Sequence, residues 1–143
     1  MSEILLVRPN PPIKAVGIAL DLLHLQAPFA NWEAKELVST IKGAVKRNHY
    51  VFSKEDRKFT GFACWGLVSE EIGEAYVKGL HRPSFQDCEN GNAFLLFIIH
   101  AQKRNHLTEI VRFMKTEYPD HKVFGRRFRK TRGNLASVTL HNT

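Results

Sequence analysis

Apolar residues at helical spacing begin only after a proline-rich start. Residues 1–12 carry Pro9, Pro11 and Pro12 and no helical period, which predicts an irregular or extended arm. From Ile13 to Gln26, Val16, Leu20 and Leu23, with Ile18, Leu22 and Leu25 on an adjacent track, follow the 3.6-residue period and predict a helix. Pro28 stops it, because proline disfavours helical geometry in the preceding residue. Asn31 then reads as the N-cap of a second helix, with Glu33 and Glu36 near its positive end. That helix turns Ala34, Leu37, Val38, Ile41 and Val45 inward and Lys35, Lys42 and Lys46 outward.

Period-two patterning takes over next. Asn48–Ser53 and Lys58–Leu67 read as strands joined by the charged turn Lys54–Arg57, and the second is too apolar for a sheet edge. Ser69 caps a short helix to Lys78, and His81–Asn92 is a loop. The unbroken run Phe94–Ile99 predicts a central strand covered on both faces. Leu107, Ile110, Val111 and Met114 mark a further amphipathic helix that ends before Pro119. Lys122–Phe128 and Leu135–Leu140 close the chain as strands around Lys130–Gly133. The order implies one α+β domain over residues 13–143, a mainly antiparallel sheet flanked by helices, preceded by the arm at 1–12.

Composition narrows the class. At 143 residues there is room for one ordinary core, and 43% hydrophobic with 24% charged residues is globular. No apolar run approaches the roughly 20 residues of a membrane span, and the N-terminal apolar patch is too short for a secretory signal. Cys64 and Cys88 form neither a CxxC nor a disulfide framework, the pattern of a reduced, cytoplasmic protein. The net charge of +7 is concentrated: His121–Arg132 holds six Lys and Arg and no acid, and without it the balance falls to +1. That patch predicts an acidic partner meeting one region, whether nucleic acid, an acidic carrier protein or anionic lipid.

The chain has no Gly-rich phosphate loop, no HExxH and no GxSxG, and its seven histidines match no zinc spacing, so neither metal nor cofactor is expected. His100 ends the central strand, where a sheet borders a cleft, and is a candidate acid–base group or a histidine satisfied by a backbone carbonyl. His24 follows Asp21 by three residues, which could orient it; a solvated helix face is the plainer reading. Cys64, in an apolar strand, reads as a buried structural thiol. In the basic segment, alternation puts Phe124, Arg126 and Phe128 on one strand face and Arg127 and Arg129 on the other. Arg126, Arg127, Arg129, Lys130 and Arg132 are the candidate docking surface, with a solvated basic strand as the alternative.

Several segments taken in order resemble the toxin-activating lysine acyltransferases, which fatty-acylate lysines of RTX protoxins from acyl carrier protein. They are Val16-Gly17, Pro28–Trp32 (PFANW), Ile41–Tyr50 (IKGAVKRNHY), Gly61–Glu71 (GFACWGLVSEE), Gly91 before the apolar strand, Met114–Asp120 (MKTEYPD) and Lys130–Gly133 (KTRG). The resemblance implies a GNAT-like fold. It also implies acyl transfer from acyl carrier protein to a lysine-containing protein substrate, without metal or nucleotide. Two departures accompany it. The family's histidine falls between the proline and tryptophan of the Pro–Trp motif, where this chain has Phe29, Ala30 and Asn31 in a shorter interval; its aspartate falls nearest Ile98. A divergent site would use His100, two residues beyond Ile98 on the same strand face, with His24 as a second group. The alternative is a catalytically inactive member acting as a basic interaction protein for a protein partner or nucleic acid, and a homodimer is a further partner left open.

Overall fold

The computed structural model describes the backbone of residues 3–129 and 134–140 and the side chains of residues 3–126. In chain order the elements are β1 (Leu5–Val7), α1 (Ile13–Leu23), α2 (Ala34–Arg47), β2 (Tyr50–Glu55), β3 (Lys58–Val68), α3 (Glu70–Val77), β4 (Ala93–Ala101), α4 (Arg104–Glu117), β5 (Lys122–Arg129) and β6 (Asn134–Leu140). Short 3-10 turns occupy Phe29–Asn31 and Gln86–Cys88. The six strands form one sheet in chain order. β1–β2, β2–β3 and β5–β6 pair antiparallel, while β4 and β5 pair in parallel over Ala93–Leu96 and Lys122–Gly125. A parallel pair needs a crossover, which α4 supplies.

The expected arm is not wholly irregular: Leu5–Val7 pairs with Phe52–Lys54 as an edge strand. Three residues are too few to show a period, so only the partner strand reveals them. The β2–β3 hairpin turns more tightly than the charged run implied. Asp56 and Arg57 both have positive φ (51° and 67°), a two-residue turn whose twist matches that of the strands, and β2 therefore runs on to Glu55.

The helices are displaced from their expected positions in small, explicable ways. α1 stops at Leu23 and buries Ala15, Ala19 and Leu23 in place of the larger Val16 and Leu20. α2 starts at Ala34 after an extended Glu33, because Asn31 belongs to the 3-10 turn and is not the N-cap. Its buried face is Leu37, Ile41 and Ala44; Ala34 is exposed, while Lys35, Lys42 and Lys46 face solvent as expected. Asn48 ends it in the left-handed region (φ 65°), and the His49 N–H donates to the Ala44 carbonyl at 2.8 Å. Ser69 caps α3, accepting from the Ile72 N–H at 3.2 Å. α4 buries His106, Ile110 and Met114, and Leu107 is left exposed.

Two compact units make up the fold. The first comprises Met1–Cys64 and Ile98–Glu117. Within it α1 packs on α2, α4 packs on β1 and β2, and Phe52 meets Tyr50, Phe59 and Phe62 ring to ring. The second comprises Trp65–Phe97 and Tyr118–Thr143. There α3 packs on β5 over Val68, Val77, Cys88, Ala93, Leu95 and Phe124. Trp65 stacks on Phe94 at 5.4 Å, and its Nε1–H donates to the Tyr118 hydroxyl at 3.1 Å. Gly91 donates its N–H to the Leu67 carbonyl, and a Cβ there would sit 1.9 Å from the Val68 carbonyl carbon, so only glycine fits. β4 is interior to the sheet: Ala93, Phe94, Leu95 and Ile98 are buried, while Leu96, Phe97, Ile99 and His100 are half-buried.

Candidate functional site

His100 stands in the first unit near the end of β4, and strand alternation places it on the same face as buried Ile98. The strand end is tied down on its β3 side. The Gln102 N–H donates to the Thr60 carbonyl at 2.9 Å, and a Cβ on Gly61 would fall 2.9 Å from the His100 carbonyl oxygen and 2.6 Å from Ser53 Oγ. The glycine therefore lets the His100 backbone and the Ser53 hydroxyl approach β3 closely. Ser53 and Thr60 share a buried hydroxyl–hydroxyl hydrogen bond of 2.9 Å beneath this end. The His100 imidazole is half-buried and has no hydrogen bond to any described residue, so the carbonyl-satisfied alternative does not hold. Burial alone lowers its pKa below the ordinary 6.5, so the ring is neutral at pH 7. A neutral imidazole with unengaged nitrogens at the end of a fixed strand can accept a proton from a bound ligand.

His24 occupies a different environment. It is exposed at the C-terminus of α1, with Nδ1 3.1 Å from the carbonyls of Leu20 and Asp21. The group orienting it is the helix end, not the Asp21 carboxylate, and no hydrogen bond among the described residues joins it to His100. Cys64 is fully buried, and burial pushes its thiol pKa far up, which keeps it un-ionised and inert as a nucleophile.

Two histidines that the sequence did not single out prove well placed. His106 is completely buried, and its Nε2 lies 3.3 Å from Glu55 Oε1 at an angle that makes no hydrogen bond; Lys103 Nζ reaches the same oxygen at 3.6 Å. Its spacing of four from Ile110 and eight from Met114 was the signal available. His49 lies between α2 and β2, where Arg47 donates to it.

In the second unit, Arg126 donates through Nε and Nη2 to the Tyr76 carbonyl, and its guanidinium carbon stands 4.4 Å from the Tyr76 ring centre. It is thus anchored on the end of α3, and Phe124 on the same strand face is buried. The side chains of Arg127 and Arg129, and the whole of Lys130 and Arg132, lie outside the described residues. Among the described residues no three His, Cys, Asp or Glu gather as metal ligands, and no helix is long and apolar enough to cross a membrane.

The architecture is that of the GNAT acyltransferases, as three solved structures show. The loading GNATL domain of CurA from Lyngbya majuscula superposes with a TM-score of 0.61 at 14% identity, over 90% of this chain and 67% of that one. The mosquito arylalkylamine N-acetyltransferase like 5b gives 0.59 at 10% identity, over 98% and 96%. A GNAT-family acetyltransferase from Bacillus cereus gives 0.52 at 16% identity, over 92% and 75%. At these identities the likeness establishes the fold. Residues 12–141 match the model of the RTX toxin acyltransferase family, and the chain belongs to that family. No curated protein sequence matches it. Family and fold together support an acyltransferase.

Proposed function

We propose that this protein transfers a fatty acyl group from acyl carrier protein to a lysine amine of a protein substrate, with His100 as the proton acceptor. The observation that carries the reading is the half-buried, neutral and unengaged His100 imidazole in a chain of an acyltransferase family. In this reaction the lysine nitrogen attacks the thioester carbonyl, the C–N bond forms, the C–S bond breaks and the thiolate departs. A free lysine has a pKa of about 10.4, so an imidazole below 6.5 cannot strip the ammonium beforehand. The neutral amine fraction attacks, its nitrogen becomes strongly acidic as the C–N bond forms, and His100 then takes the proton and passes it to the thiolate. Since a thiol leaves more readily than an amide reverts, positioning and deprotonation are the main demands. His24 is the second group of this reading, and the cations from Arg126 to Arg132 receive the acidic carrier, which a concentrated positive patch would steer.

Incubation of the protein with acylated carrier and lysine-bearing substrates, read as a mass increase equal to the acyl group, tests this. His100→Ala should abolish the increase, and Arg127→Glu with Arg129→Glu should slow it while leaving stability nearly unchanged. Acylation that survives His100→Ala removes His100 from the chemistry. A second reading, a catalytically inactive binding member, is favoured by the replacements where the resemblance puts histidine and aspartate: Phe29, Ala30 and Asn31 hold no imidazole, and Ile98 is apolar and buried. It predicts no mass increase with any carrier, but salt-sensitive binding of an acidic partner or nucleic acid.

A further inference from the structure

In the second unit, α3 ends in a turn that holds an apolar side chain out in solvent. The Leu80 N–H donates to the Ala75 carbonyl at 2.8 Å and the Gly79 N–H to the Tyr76 carbonyl at 2.9 Å, with Gly79 in the left-handed region (φ 74°). At a helix end of this form, an apolar residue in the place of Leu80 commonly packs back on the last turn. Here the positions it would cover are Glu74 and Ala75, one charged and one small, and Leu80 is left 78% exposed.

Its surroundings are cationic. The stretch Lys78–Gln86 holds Lys78 and Arg82 and no acid, and Lys78 is exposed. Asp87, the next acid, accepts from the Ser84 N–H at 2.9 Å and lies 3.4 Å from His81 Nε2. From β5, Arg126 donates to the Tyr76 carbonyl of the same turn, and a Cβ on Gly79 would stand 3.4 Å from its Nη2. The clamp brings the acid-free stretch His121–Arg132 against the acid-free stretch that follows α3. Arg126 spends its donors on the carbonyl and gives the surface its charge, and the turn beneath Leu80 is already fixed, so little ordering is left for a partner to impose.

We propose that the end of α3, with Leu80 as an apolar anchor and Lys78 and Arg126 as its cationic rim, docks an acidic protein surface that offers an apolar hollow. The inference deepens the carrier reading above and rests on it for the partner's identity. The chemistry favours a protein. Nucleic acid is held by stacking on aromatic rings and by hydrogen bonds to base edges, and leucine supplies neither. A bilayer needs more apolar area than one leucine gives, since even a myristoyl chain anchors only marginally. At a protein interface, by contrast, a single side chain seated in a hollow ringed by opposite charge carries a large share of the affinity.

Titration of the full-length chain with fluorescently labelled acyl carrier protein, at low and at physiological salt, tests the surface. Leu80→Ser should weaken binding about tenfold at both salt concentrations, because apolar burial is not screened. Lys78→Gln should weaken it about threefold at low salt, with the effect fading as salt rises. Ile13→Ser, at a position of the first unit that is 76% exposed, should leave binding unchanged. All three positions are exposed, and circular dichroism checks that each variant is folded. Wild-type affinity in Leu80→Ser, or an equal loss in Ile13→Ser, overturns the surface and leaves the carrier reading standing. Absence of carrier binding by the unaltered chain ends the carrier reading and this surface with it. An oligonucleotide that binds more tightly than the carrier, and equally well to Leu80→Ser, assigns the face to nucleic acid and overturns the proposal.

Discussion

The two compact units bury different kinds of groups. In the first, the interior holds the Ser53–Thr60 hydroxyl pair and a fully buried His106, and half-buried His49 and His100 sit at its margins. In the second, the buried residues among those described are aliphatic and aromatic with Cys88, and polar contacts such as Trp65 to Tyr118 and Arg126 to Tyr76 tie elements together at their ends. Buried polar groups cost free energy unless they are paired. Their concentration in the first unit marks where the fold tolerates that cost and where titratable groups are held in fixed places. The described core of the second unit follows mainly the logic of apolar packing.

If the second unit is governed by packing, its sharpest test is Gly91→Ala. The new Cβ meets the Val68 backbone, which cannot rotate away, so a loss of about 3 kcal/mol or more is expected from the denaturation midpoint. Gly125→Ala, whose nearest neighbour would be Leu96 Cβ at 3.7 Å, should be tolerated by comparison. Equal effects of the two would show that steric closeness is not what governs this unit.

The first unit is tested by its polar pair. Ser53→Ala leaves the buried Thr60 hydroxyl without its partner and should cost about 1–3 kcal/mol. Adding Thr60→Val removes the orphan, so the double variant should be less destabilised than the two single losses added together. Strict additivity would mean that the two hydroxyls do not depend on each other.

The smallest effect concerns pH. His49 has a pKa of about 4 in the folded protein against 6.5 as its ordinary value, so the unfolded chain binds the proton first as pH falls. Its contribution to stability is complete above about pH 6.5 and is lost as pH drops through about 4. Because the group is only half-buried, solvent screening reduces the expected amplitude to roughly 1 kcal/mol. His49→Gln should flatten the stability profile across that window; an unchanged slope would assign it to other groups.

Legibility of the chain followed the length of each signal. The helices α2 and α4 and the run at β4 were readable because many residues repeat one period, and the Ser69 cap was readable because its chemistry is local. Boundaries within a turn or two were not: α1 buries alanines where larger neighbours offered the same period, since close helix packing decides which stripe faces inward. The three-residue β1 became visible only through its pairing with β2.

By itself, then, the sequence determined the α+β class, the element order and the local charge of the late strand, all properties set by runs of neighbouring residues. Tertiary structure alone decided that Arg126 is anchored on Tyr76 and that Arg8 is seated on the Tyr50 carbonyl across about forty positions of chain. Those outcomes depend on which distant elements pack together. Packing is a property of the assembled sheet and helices, and no local period encodes it.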